Sequence, residues 1–325
     1  MKVVVTGGLG YIGSHICVEL LNNGIDVIVI DNLINAKEET VEEIEQITDK
    51  RLYFFKGDVC DKSFLESVFS MYRLDAIIHC ANLKFVNESI EKPYEYYEKN
   101  LLSTLNLIYI AEKYKIEKFI FSSSASVYGC NAIVPIKETE RLSSNNPYGR
   151  TKIIQEQILE DYSKTNKTFK VSILRYFNPM GWHESGLLRD HSKAKDTSLM
   201  NAIIKTLNME QEYLHVFGDD YDTIDGTCVR DYIHIKDLAL GHIAALDALF
   251  SSKERFNCYN LGRGEGYSVL KVIKTFQEVN KTHIPYKIEG RRNGDIASSY
   301  ADCNKAYTEL KWKAQKNLSE MCKIY

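Results

Sequence analysis

The chain of 325 residues predicts an α/β fold, a doubly wound parallel sheet with a smaller C-terminal α/β lobe. Three observations carry this. Short β-branched runs alternate with helical patterns through the first half, as parallel strands joined by crossover helices do. The first run leads directly through a glycine-rich turn into a helical segment. After about Tyr176 the rhythm changes to long polar stretches, 180–197 and 218–227, mixed with helices.

In chain order, residues 3–6 form the first expected strand, 14–21 the first helix and 27–31 the second strand, a βαβ unit. Further strands are expected at 52–55, 76–79, 118–122 and 171–174, with helices between most of them. Asn146 and Pro147 supply an N-cap and a first-position proline for a helix, and 235–250 reads as another. The sheet is therefore assigned to 1–175 and the lobe to 176–325, with segments near 228–262 returning to the sheet.

A hydrophobic fraction of 44% supplies a core, and 41 basic against 44 acidic residues give a net charge of −3. No one-signed field points to nucleic acid or an anionic membrane, so the expected partner is a small molecule. Eight scattered cysteines lack a C-x-x-C pair or a histidine cluster at metal spacing. They read as reduced, mostly buried thiols of a cytoplasmic protein, with no metal. The chain enters an apolar strand at Val3 and turns at Gly7, too early for a signal-peptide core. No apolar stretch approaches the roughly 18 residues of a membrane span.

The turn after the first strand spaces Gly7, Gly10 and Gly13 as G-x-x-G-x-x-G. Glycines let the backbone approach a pyrophosphate, and the following helix points its free N–H groups at the phosphates. Glycines also make ordinary tight turns, so the context matters. Asp31 stands at the end of the second strand, where a carboxylate accepts both hydroxyls of an adenosine ribose and repels a 2′-phosphate. The pair reads as a Rossmann site for NAD rather than NADP. Asp58-Val59 follows the third strand and reaches toward the adenine or simply caps a turn.

Tyr148 and Lys152 lie four apart on one helix face. A nearby ammonium lowers a phenol from about 10 toward working pH, which makes it a usable general base. In a chain of 21 tyrosines the pair taken alone reads as structural. Ser122, Ser123 and Ser124 end a strand at the carboxyl edge of the sheet, where one of them can bridge a substrate hydroxyl to Tyr148.

Glycine turn, acidic residue, serine run and Tyr-x-x-x-Lys, in this order, resemble the extended short-chain dehydrogenase/reductase family. The resemblance is closest to its UDP-glucose 4-epimerases, through TGGLGYIGSH (6–15), DNL (31–33), SSSASVYG (122–129), PYGRTK (147–152), RYFNP (175–179), GTCVRDYIH (226–234), YNLG (259–262) and RRNGD (291–295). It covers nearly the whole chain.

The resemblance implies an epimerase that holds NAD permanently and inverts the sugar 4-hydroxyl through a 4-keto sugar. Tyr148 would take the hydroxyl proton, Lys152 would tune Tyr148 and hold the nicotinamide ribose, and Ser124 would bond the reacting hydroxyl. Further NAD contacts are implied at Tyr11, Ile12, Asn32, Leu33 and Asn35, and at Cys80, Ala81, Lys84 and Asn100, with Tyr176 and Phe177 by the nicotinamide. The UDP-sugar would meet Lys84, the serine run, Asn178, Ser198, Leu199, Phe217, Arg230, Arg292 and Asp295; arginine suits a diphosphate through its forked donors. Ser299 matches a position where relatives carry either a bulky tyrosine or a small residue, so UDP-GlcNAc and UDP-GalNAc are expected substrates beside the glucose pair.

The chain also departs from the family. Thr197-Ser198-Leu199-Met200 replaces a Pro-Asn-Asn-Leu-type segment and loses an amide; Asn82 replaces a glycine beside the cofactor, Phe85 a small residue, and Lys99 precedes the family-like Asn100. The last helix, after Leu318, is expected to be shortened or absent. Two other readings compete. A 4,6-dehydratase needs an Asp-Glu pair after the serine, where this chain has Ala125-Ser126. A non-catalytic NAD-sensing module has no need of Tyr148, Lys152 or Ser124. The family further implies a homodimer through the Tyr-x-x-x-Lys helix and the long helix before it, roughly 93–114.

Overall fold

The computed structural model describes residues 1–190, 198–292 and 294–325. The chain opens with β1 (Lys2–Thr6), α1 (Tyr11–Asn22), β2 (Asp26–Asp31), α2 (Thr40–Thr48), β3 (Tyr53–Lys56), α3 (Lys62–Phe69) and β4 (Ala76–His79). It continues through α4 (Val86–Glu91), α5 (Pro93–Lys113), β5 (Lys118–Ser124), a 3-10 turn (Ala125–Tyr128), α6 (Pro147–Thr165) and β6 (Lys170–Tyr176). The second half adds β7 (Asn178–Met180), α7 (Leu199–Leu207), β8 (Leu214–Phe217), β9 (Val229–His234), α8 (Ile235–Ser251) and β10 (Phe256–Leu261). It ends with β11 (Gly266–Ser268), α9 (Val269–Asn280), β12 (Tyr286–Glu289), β13 (Ser298–Ser299), α10 (Asn304–Leu310) and α11 (Leu318–Cys322).

Seven strands form one sheet in the order β10-β6-β5-β4-β1-β2-β3, and every neighbouring pair is parallel. Helices cover both faces, so the strands need apolar side chains on both sides and read as unbroken β-branched runs. Successive residues feed opposite cores: Val3, Val5, Val27 and Val29 pack with α1 and α8, while Val4, Ile28, Ile30 and Ile77 pack with α3 and α5. β5 and β6 each run two residues past their expected ends, because Ser123 and Ser124 pair in register with Arg175 and Tyr176.

The lobe holds β7, β9, β11 and β13 in one small sheet and β8 with β12 in another, closed around Met200, Ile203, Leu214, Val216, Ile273 and Phe276. Within 228–262, α8 and β10 lie with the large sheet, whereas β9 belongs to the small one. Ala306, Leu310, Trp312 and Ala314 also join the core beneath α1 and α8. The last helix, α11, is a single short piece of five residues with a capping box between Asn317 and Glu320. All eight cysteines are free thiols; three are buried and Cys130 is exposed. Among the described residues no helix is long and apolar enough to cross a membrane. Thr197, Asn293 and most of the polar stretch after Asp190 lie outside the described residues.

Candidate active site

The glycine turn lines an open cleft along the carboxyl ends of β1, β2, β4 and β5, where doubly wound sheets bind their ligands. The three glycines have different reasons. Gly7 has a positive φ of 68°, and a Cβ there would meet the Ala81 backbone at 2.8 Å. A Cβ on Gly13 would lie 2.1 Å from the Gly7 carbonyl oxygen. At Gly10, by contrast, the nearest atom is 3.5 Å away and the side-chain direction faces open cleft. Packing does not require glycine at that position, but close approach of a ligand does. Gly10 caps α1 without a side-chain bond, and the first turn has no acidic residue. The positive helix end, with Tyr11, Ile12 and Gly13 on the cleft wall, is thus left for an anion.

Asp31 closes one end of the cleft. Its carboxylate accepts the Leu9 and Leu33 amides at 3.1 and 2.9 Å, and burial raises its pKa. Asn32, Asn35, Asp58 and Val59 line the same end, with Asn32 Nδ2 donating to Asp58 Oδ2 at 3.1 Å. Leu33 takes a positive φ of 62° to turn the chain around Asp31. The opposite wall is loop 80–84, with Cys80, Ala81 and Lys84. Asn100 sits against this wall but directs its amide to the loop backbone, accepting from Leu83 N at 2.8 Å and donating to Leu83 O at 3.1 Å. It shapes the cleft more than it offers a free group. An acidic carboxylate at the ribose end, an anion-binding helix end and an elongated cleft between them fit NAD.

Tyr148, Lys152 and Ser124 converge beside Ser122, which lines the cleft. Lys152 Nζ lies 5.8 Å from the Tyr148 ring centre and donates to Ser122 O at 2.6 Å. Burial pushes the ammonium down to about 7, with Cys80 and Glu156 opposing the shift. Burial also raises the Tyr148 phenol, and its hydrogen bond with Ser124 works the other way. The expected lowering of Tyr148 by Lys152 is therefore not what this geometry gives: burial governs both groups, and the ammonium is turned to a carbonyl. Of the serine run, only Ser124 is directed to Tyr148. Ser123 donates to Glu156 and is buried away from the cleft, because neighbouring strand residues face opposite sides, whereas Ser122 shares the Ser124 face, lines the cleft and bonds Tyr176. Tyr176 backs Cys80 and Ser122 and donates to His242, whose other ring nitrogen donates to Leu238 O. Phe177 packs beside Val127, Tyr128, Ile136 and Ala301. Neither ring forms the cleft wall.

The lobe gathers a second group. Asp295 bridges Arg292 at 3.0 Å and Arg230 at 3.6 Å. Arg292 also lies 4.5 Å above the Phe217 ring centre, and Ser299 pairs with Arg230 in strand register. Two arginines, an aromatic plate and a carboxylate acceptor make a site for a charged, flat-ended ligand such as a nucleoside diphosphate. Asn178 is exposed on β7. Ser198 caps α7 by accepting from Asn201 N at 3.3 Å, and Leu199 opens that helix half-buried.

Sequence reasoning missed the supports. Glu156 binds Arg175 through Nε at 3.0 Å and Nη2 at 2.6 Å, both nearly fully buried. The spacing Tyr148, Lys152, Glu156 on one face of α6 could have flagged it. Asp231 and Asn260 are fully buried and bind mainly backbone groups, a role that leaves no spacing signal.

Comparison with known proteins matches residues 4–325 to the family described as GDP-mannose 4,6 dehydratase. A UDP-glucose 4-epimerase of Bacillus subtilis is 46% identical over 322 residues, 99% of this chain and 95% of that protein. The UDP-glucose 4-epimerase of Bifidobacterium longum, solved with NAD+ and UDP, superposes with a TM-score of 0.94 at 47% identity over 99% of this chain and 96% of that one. That of Stenotrophomonas maltophila, solved with NAD and formylated UDP-arabinopyranose, gives 0.97 at 40% identity over 100% and 96%. Glycine turn, Tyr148-Lys152-Ser124 cluster and arginine-lined lobe thus stand in a chain that belongs to the extended short-chain dehydrogenase/reductase family and, within it, to the UDP-glucose 4-epimerases.

Proposed function

We propose that the chain interconverts UDP-galactose and UDP-glucose by 4-epimerisation with NAD held in the cleft. The observation that carries this is the meeting of Tyr148, Lys152 and Ser124 beside Ser122, a residue of the dinucleotide cleft wall. NAD would lie along Gly7, Gly10, Gly13 and Asp31, and supplies the hydride acceptor and, on return, the hydride donor. Tyr148 takes the proton of the sugar 4-hydroxyl, with Ser124 bridging them, and gives it back on the other face of the ring. Lys152, its ammonium turned to Ser122 O beside the phenol, would hold the nicotinamide ribose. Arg230, Arg292 and Phe217 grip the UDP, which leaves the sugar free to turn over between the two half-reactions.

Ser299 presents a small side chain beside Arg230, which supports turnover of UDP-GlcNAc and UDP-GalNAc as well. A dehydratase finds no acid-base pair after Ser124, where Ala125 and Ser126 begin the 3-10 turn. Eight free thiols support residence in a reducing compartment, the cytoplasm. Leu102, Leu105 and Tyr109, exposed at helical spacing on α5 beside α6, support a homodimer through these helices.

The deciding assay is conversion of UDP-galactose to UDP-glucose by purified protein without added NAD. Turnover is expected, with Tyr148→Phe reducing kcat by about 10²–10⁴-fold. Folded wild-type protein that stays inactive even with NAD supplied would sink the reading.

A further inference from the structure

A connected path of buried polar groups runs from the catalytic edge into the lobe. Ser123, next to Ser124, donates to Glu156, which holds Arg175. Arg175 Nη1 donates to the Tyr128 hydroxyl at 2.9 Å, and Tyr128 donates to Asn260 Oδ1 at 2.6 Å. Asn260 Nδ2 donates to Ile136 O at 2.8 Å. That carbonyl also accepts the Asp302 amide at 2.8 Å, while Ile136 N donates to Tyr300 O at 2.9 Å. The path therefore ends on segment 300–302, directly after Ser299.

A second buried side chain reaches the same segment from the other side. Asp231 Oδ2 accepts from Ala301 N at 3.1 Å and Gly264 N at 2.9 Å, and Oδ1 from Arg263 N at 2.7 Å. Gly262 makes room for it: a Cβ there would lie 2.5 Å from Asp231 Oδ2 and 3.0 Å from the Ala301 Cβ. β13 itself is two residues long and pairs only through Ser298 and Ser299 with β9. So short a strand is held from both sides, by the Ile136 backbone that Asn260 fixes and by the Asp231 carboxylate.

We propose that Asp231 and Asn260 are positioning residues for the sugar end of the substrate, a two-sided clamp that sets where Ser299 stands and so which 2-substituent is admitted. This rests on the reading of Ser299 as a sugar contact given above. Neither side chain touches the substrate; each acts through the backbone it holds. A satisfied buried network gives one rigid arrangement, and losing one partner releases it.

The test uses the full-length NAD-bound enzyme with Asn260→Asp, which keeps the acceptor for Tyr128 and loses the donor to Ile136, and Asp231→Asn, which replaces one acceptor oxygen. Tyr128→Phe is the milder third variant should either fail to fold. kcat and KM are measured for UDP-galactose and UDP-GalNAc, with the Kd of UDP alone and the NAD content. The clamp predicts unchanged UDP affinity and NAD content, a fall of about tenfold in kcat/KM for UDP-galactose, and a higher ratio of acetylated to plain turnover. Where the acetylated sugar is not a wild-type substrate, KM for UDP-galactose relative to the UDP Kd must rise instead. The double variant should lose less than the product of the single losses, since both act on one segment. Equal losses on both sugars with parallel loss of UDP binding, or an unchanged ratio, would overturn the clamp. A wild type inactive on UDP-galactose would instead fail the functional reading beneath it.

Discussion

At Lys152 stability and chemistry pull apart. Burial lowers its ammonium from 10.5 to about 7, so in that window the unfolded chain holds a proton the folded one has released. Stability contributed by this residue therefore rises with pH between about 7 and 10.5 and is weakest below 7. Lys152→Met is expected to raise the unfolding midpoint relative to wild type at pH 6 by about 3 °C or more, and by less at pH 9, while kcat collapses. Equal shifts at both pH values, measured by thermal unfolding, would contradict the burial of a charged ammonium. The trio proposed for catalysis could be picked out in the sequence because phenol and amine stand four apart at a predicted helix start and the hydroxyls end a predicted strand. Which serine faces Tyr148 came only from the resemblance, since local spacing leaves it to strand register, and one residue of slip exchanges Ser123 for Ser124. Asp231 and Asn260 stayed invisible for another reason: their partners are backbone amides and carbonyls far along the chain.

The turn between β1 and α1 separates two roles that its spacing runs together. Gly10→Ala places a methyl in open cleft, so the protein should unfold at its usual temperature yet bind NAD roughly tenfold or more weakly, the scale of one charge-assisted hydrogen bond. Gly13→Ala drives a methyl into the Gly7 carbonyl and should lower the unfolding midpoint as well. Thermal unfolding beside NAD titration of the stripped proteins distinguishes them. On α6, the face carrying Tyr148 and Lys152 ends in Glu156, whose pairing with Arg175 is almost fully buried. Glu156→Ala leaves a buried guanidinium without its partner and should cost about 3–5 kcal/mol in urea unfolding. Helices and strands of the first half were legible from periodicity. β10 was harder, since its partner β6 is in another part of the chain and nothing local to residues 256–261 announces the pairing.

For the molecule as a whole, α5 presents Leu102, Leu105 and Tyr109 to solvent at 39%, 49% and 37% exposure, a stripe that a second copy would cover. Leu105→Glu is expected to yield a monomer by light scattering, with the NAD cleft intact; a wild-type monomer at micromolar concentration would remove the dimer from the proposal. The large sheet is not made by one continuous stretch. After β6 the chain builds much of the lobe, then comes back to lay β10 against β6, pairing Phe256 with Val171, and still later tucks Trp312 under α8. The edge strand is delivered only after most of the lobe's chain has been laid down, so nascent sheet and lobe depend on each other for completion. Such long-range pairing favours slow, cooperative assembly. Heating should show a single endotherm in which cofactor grip and sugar grip vanish together, and a C-terminal truncation before residue 256 should yield aggregate rather than a free NAD-binding half.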